Sequence, residues 1–185
     1  MVPTIVLQTK KELDIYVNPR RQELLRIMQL LNRPVTPKEL SRKMGISASA
    51  VQHHMHKLLE IGIVELHHTE TIRGITARLY WLPPRTISLG RTPGNPENTQ
   101  RLALMQNSLT HAFARFSRYF LRCKSARQEA LGDMNWGILR MREDEVRELK
   151  QIIAHYIHEH EKPEAEGIAM EYALLAFPAE EDADA

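Results

Sequence analysis

The sequence predicts a mainly α-helical protein with one small β hairpin. Three observations carry this. Capped helical segments flank a short glycine-containing turn between residues 36 and 61, the apolar period then changes to strand-like alternation, and a heptad-spaced apolar run follows from residue 102.

Asn18-Pro19 opens the first predicted helix, since asparagine caps and proline is pre-set at the helical φ; Leu24, Leu25, Ile27, Met28 and Leu31 follow at helical spacing. Thr36-Pro37-Lys38-Glu39 reads as a capping box, with the Thr36 hydroxyl taking the Glu39 amide and the Glu39 carboxylate reaching back to the Thr36 amide. The helix it opens runs from Pro37 to Met44, and Gly45 stands where a left-handed cap is wanted. Ser47 caps a further helix to about residue 61, which Gly62 closes. Two helices joined by such a turn make a helix-turn-helix unit. Residues 63–68 and 75–82 are then rich in β-branched and aromatic side chains and flank a longer loop over 69–74. Helix, helix-turn-helix and hairpin in this order predict a winged helix over residues 1–84, followed by a Pro/Gly-rich linker over 85–98 and a C-terminal part over 99–185.

Val51, Met55 and Leu58 fall at i, i+4 and i+7 of the helix that Ser47 caps, so they form its packing stripe. Ser49, Gln52, His53, His56 and Lys57 lie on the opposite side and, with Ser47 at the helix start, are the candidate DNA contacts of this helix. Glutamine pairs bidentately with adenine, serine and histidine donate or accept, and Lys57 reaches a phosphate or guanine. Any helix has a solvated face, but this one sits on the second helix of a helix-turn-helix, whose N-terminal half enters the major groove. His54 lies between the two sides, and a phosphate ligand and a half-buried packing residue are equally open readings. Arg73-Gly74 at the hairpin tip suits a minor-groove or phosphate contact. Arg78, Lys38, Arg42 and Lys43 are further candidates for phosphates.

The stretches "NPRRQELLRIMQLL", "TPKELSRKMGISASAVQHHMHKLLEIGIVE" and "RGITARLYWL" within residues 18–82 resemble the winged-helix domain of ArsR-type regulators. The family's run of Val, Ser, His and Leu leading into Gly-Leu-Val appears here from Val51 through His54 and Leu58 to Gly62-Ile63-Val64, with Gln52 in place of the usual serine. The resemblance implies a winged-helix fold and binding of duplex DNA, with a base preference altered at Gln52. The cysteine-bearing metalloid motif of the founding members is absent.

In the C-terminal part Leu102, Met105, Leu109, Ala112, Phe116, Tyr119 and Cys123 are spaced alternately by 3 and 4, and Phe113 and Phe120 widen the stripe. A long helix with this much apolar surface predicts a homodimer interface rather than an ordinary core helix, in keeping with the two-fold symmetry of palindromic half-sites. For Arg115, Arg118, Arg122, Lys124 and Arg127, DNA contact and pairing with the acidic region both stay open. Residues 134–141 and 168–177 alternate like strands around an amphipathic helix over 143–161, so a small α+β unit is expected. Trp136, Tyr156, Tyr172 and Phe177 are read as its core in preference to an effector pocket, although a small-molecule effector of unknown identity is left open. His155, His158 and His160 are read as a solvated terminus rather than a metal site.

Charge is distributed unevenly beneath a net +2: residues 1–84 hold 12 Lys/Arg against 7 Asp/Glu, 85–127 hold 8 against 1, and 128–185 hold 5 against 15. The basic two-thirds suits a polyanion, and the acidic remainder is expected to lie away from it. A lone Cys123 excludes an intrachain disulfide and every paired-cysteine zinc motif. The opening apolar patch is too short for a signal core or a membrane span, so a cytoplasmic protein with no membrane partner is expected. No glycine-rich phosphate loop, nucleophile elbow or zincin motif is present, and neither an enzyme nor a cofactor is expected. The expected function is sequence-specific DNA binding by a homodimer. The alternative is a winged helix that binds proteins, whose exposed recognition face is expected to be apolar or acidic.

Overall fold

Side-chain caps at Thr9, Asn18, Thr36 and Ser47 mark where four helices of the chain begin. The computed structural model describes residues 4–179 other than 73, 90–94, 130 and 161–166. The chain divides into two compact units, one of residues 1–101 with 153–168 and the other of 102–152 with 169–185.

The first unit contains β1 (Thr4–Val6), α1 (Lys10–Tyr16), α2 (Pro19–Leu31), α3 (Pro37–Met44), α4 (Ala48–Glu60), β2 (Glu65–Ile72), β3 (Ile75–Trp81) and β4 (Thr86–Ser88). Neither β1, α1 nor β4 figured in the expectation from sequence. α1 is held by a reciprocal capping box: the Thr9 hydroxyl accepts from the Glu12 amide at 3.2 Å, and the Glu12 carboxylate accepts from the Thr9 amide at 2.8 Å. β1 pairs in parallel with β4, from Thr4 opposite Thr86 to Val6 opposite Ser88, so part of the expected linker is drawn into this unit.

Asn18 caps α2 by accepting from the amides of Arg20 at 3.0 Å and Arg21 at 3.3 Å. Thr36 caps α3 through the Glu39 amide at 3.2 Å, but the reciprocal half of the expected box is not formed. The Glu39 carboxylate instead accepts from the Arg33 guanidinium, with Nη1 at 3.2 Å, because a charged fork is a stronger donor than one neutral amide. Gly45, at φ +65°, reverses the chain between α3 and α4. Ser47 then caps α4 by accepting from the Ala50 amide at 3.2 Å.

Val51, Met55 and Leu58 on α4 are fully buried with Leu24 and Met28 of α2, Leu40 and Met44 of α3, and Val35, Ile63, Val64 and Tyr80. Burying side chains of this size contributes about 1.5–3 kcal/mol each. A two-way backbone bridge joins Val35 to Tyr80, at 2.9 and 2.8 Å, and so fastens the chain entering α3 to the hairpin.

The hairpin itself is longer than expected. β2 continues through Thr69–Ile72, placed in a loop by sequence, and pairs antiparallel with β3 until Ile72 faces Ile75. Thr69, Thr71 and Ile72 are β-branched, and cross-strand pairing outweighs the polarity that suggested a loop. A bulge between Leu66 and His68 interrupts the ladder.

The second unit is built on α5 (Asn98–Arg122), which starts in the first unit, with the short α6 (Ala126–Glu129) and the first half of α7 (Glu143–His160). The long helix expected after the linker is present. The α+β arrangement is not: among the described residues neither 134–141 nor 168–177 forms a strand. Alternating side chains do not make a strand without a neighbour to close its ladder, and among the described residues neither segment is paired with one. Trp136, Tyr156, Tyr172 and Phe177, expected as the core of that unit, are all exposed. No helix among the described residues is long and apolar enough to cross a membrane.

Met55 has no exposure at all, so Met55→Ala is expected to lower unfolding stability by about 2–5 kcal/mol. Loss of the Ser47 cap in Ser47→Ala should cost about 1 kcal/mol. Urea unfolding followed by circular dichroism checks both, and a Met55→Ala midpoint equal to wild type would contradict the assigned core.

Candidate nucleic-acid interface

α4 is oriented by its buried stripe. With Val51, Met55 and Leu58 turned inward, helical geometry leaves Ser49, Gln52, His53 and His56 exposed on the other side. These four side chains carry hydrogen-bonding groups of the kind that can pair with base edges. At the start of the helix the Ser47 hydroxyl both caps Ala50 and lies 3.0 Å from the Ser49 hydroxyl. Ser47 is thus committed to local structure, while Ser49 is steadied by it.

Lys57 sits differently from its neighbours on that side. It is half-buried and donates to Glu60 at 2.8 Å, and it lines a shallow basin of about 440 Å³ with Lys10, Lys11, Asp14, Ile15 and Arg21. Its ammonium therefore serves the junction with α1. Lys38, Arg42 and Lys43 on α3 are exposed, as is Arg78 on β3, where it stands opposite Thr69. Arg73, the residue expected at the hairpin tip, lies outside the described residues. The adjoining Gly74 has φ +76°, a conformation that glycine adopts without strain.

His54 is half-buried, and its Nδ1 is enclosed with no hydrogen-bond partner. Burial pushes its pKa below the ordinary histidine value, and the positive fields of Arg21, His53 and Arg20 act in the same direction. Of the two readings open in the sequence, this environment agrees with a packing residue. The His53 and His54 rings meet edge to face with centroids 5.8 Å apart.

A second histidine pair escaped the sequence reading. His67 is the extra residue of the β2 bulge and His68 follows it, and their Nδ1 atoms approach to 2.6 Å. Consecutive residues of a regular strand point to opposite faces; the bulge brings these two together, and nothing in the local sequence announces a bulge.

Residues 25–67 match the family model of a helix-turn-helix domain. The match runs from within α2 to the start of β2 and supports a helix-turn-helix transcriptional regulator, with DNA as its partner. No curated protein matches the chain.

The His54 environment has a pH consequence. Its folded pKa is depressed, so its stabilising contribution is present above the unfolded value of about 6.5 and is lost as pH falls through the folded one. Wild type should therefore lose more stability than His54→Gln between about pH 7.5 and pH 5.5. Urea midpoints at the two pH values check this; parallel declines would mean that His54 does not carry the effect.

Proposed function

We propose that the protein is a sequence-specific, double-stranded-DNA-binding transcriptional regulator of the ArsR-like winged-helix type, acting as a homodimer on a pseudo-palindromic operator. The observation that carries this reading is the exposed, uncharged, hydrogen-bonding side of α4, presented by the second helix of a helix-turn-helix. Gln52 at its centre is the principal base reader, with Ser49, His53 and His56 around it. Lys38, Arg42, Lys43 and Arg78 contribute phosphate contacts, which orient the domain and supply affinity on any duplex. The protein acts by occupancy of DNA in the cytoplasm, not by catalysis.

A winged helix that docks on proteins is the competing reading. Such a surface needs an apolar or acidic recognition side, whereas the four residues named on α4 are neither. Two recognition helices about 34 Å apart meet successive turns of one face of DNA, and the apolar stripe of α5 supports a dimer that would set this distance. Leu102, Met105, Leu109, Phe113, Tyr119 and Phe120 are all exposed in the single chain.

Selecting bound sequences from a random duplex library tests the reading directly. On the selected site, Gln52→Ala should lose about 1–3 kcal/mol, roughly tenfold to a hundredfold, with little change on random DNA. Arg78→Ala should weaken both and reduce the salt slope by about 1. Equal losses of Gln52→Ala on both duplexes would remove it from base reading. Phe116→Glu should give monomers in sedimentation, and an unchanged mass would exclude the α5 stripe from the interface.

A further inference from the structure

The second unit displays more apolar surface than a single chain can keep in water. Trp136 is 83% exposed, Ile138 81% and Leu139 76%, and in the last segment Leu174, Leu175 and Phe177 are each more than 60% exposed. With the exposed stripe on α5, these side chains form an extensive apolar surface of the kind that a specific interface buries, at roughly 800 Å² per partner. A soluble monomer rarely exposes a patch of more than a few hundred Å².

The chemistry of residues 134–141 and 168–177 narrows what covers them. Both alternate as half-buried strands do, with Met134, Trp136 and Ile138 on one side of the first segment, and Ile168, Met170, Tyr172 and Leu174 on one side of the second. Both segments are present in the chain, yet neither enters a ladder. We propose that they are strands of a sheet shared between two copies of the chain, 134–141 of each copy pairing with 168–177 of the other, so that the C-terminal unit is completed only by a second copy.

Charge favours a copy of this chain over an unrelated partner. Within the second unit α5 carries the half-buried Arg115 and the exposed Arg118 and Arg122 with no acidic residue, whereas the opening turns of α7 carry Glu143, Asp144, Glu145 and Glu148. One chain thus supplies both signs, as a two-fold interface between identical surfaces requires. An example of the attraction is visible in the unit: Arg115 Nε lies 2.9 and 2.8 Å from the two carboxylate oxygens of Glu171. This pair anchors the second segment beside α5 by a residue of the alternate register to Met170 and Tyr172. Exchange of strands between copies is a low-cost route to a dimer when the same pairing is unmade within one chain.

The inference deepens the homodimer reading above and rests on it, so its test separates the two. Full-length protein without DNA is followed by sedimentation over a range of concentrations and by amide hydrogen exchange, with Ile138→Pro and Leu174→Pro as variants. Proline removes a ladder donor but costs little in an unpaired exposed segment. Strand exchange is expected to give a dimer whose amides in 134–141 and 168–177 become protected at least tenfold as the dimer forms. Each proline variant should raise the dissociation concentration at least tenfold while keeping the helical circular dichroism signal. A dimer in which both segments exchange at unprotected rates, or protection already complete in the monomer, would overturn the shared sheet, and so would proline variants that dimerise like wild type. Binding of a non-specific duplex at low salt, measured in parallel, reports on the DNA reading independently of these outcomes.

Discussion

The burial of one side of α4 is the constraint on which the rest of this structure depends. Val51, Met55 and Leu58 are withdrawn completely from water, and a helix so held has no freedom to rotate about its axis. The polar side chains opposite are therefore aimed by apolar packing rather than by contacts of their own. The partners in that packing come from α2, α3 and the residues leading into β2, so the scaffold and the presented surface are one construction. A helix face held in this way needs little further ordering, whatever it meets.

The hairpin is fastened to the same core through few but specific links. Tyr80 is buried among the helices and shares two backbone hydrogen bonds with Val35, immediately ahead of α3. Arg85 adds a further tie at the same open end of the hairpin, donating to the Gly62 carbonyl at 2.6 Å and pairing with Glu65. These links place Arg78 on the same frame as the exposed side of α4. The frame positions the exposed polar groups of the first unit, while the second unit leaves many apolar side chains exposed.

Much of the first unit was legible because its signals are local. Asn18, Thr36, Gly45 and Ser47 each satisfy or reverse a backbone within a few residues of themselves, and the structure uses all four as expected. The same is true of the exposed positions Ser49, Gln52, His53 and His56, which follow from the helical repeat once the buried stripe is identified. Thr9 and Glu12 offered an equally local signal for α1 that the length of the helix, seven residues, made easy to overlook. The pairing of Lys57 with Glu60, three residues on, and the open basin it shares with α1 were not read from the sequence, since the basin brings together residues far apart in the chain. Glu39 departed from its expected role because Arg33 is a better donor than a backbone amide.

By itself, the sequence determined the capped helices, the helix-turn-helix, the presence of a hairpin and the side of α4 that faces out, since all depend on interactions between near neighbours in the chain. Only the tertiary structure decided the pairing of β1 with β4, the extent of the hairpin, the bulge that joins His67 to His68 and the unpaired state of 134–141 and 168–177. Strands differ from helices in just this respect: a helix satisfies its backbone within itself, whereas a strand exists only when a separate length of chain arrives to bond with it.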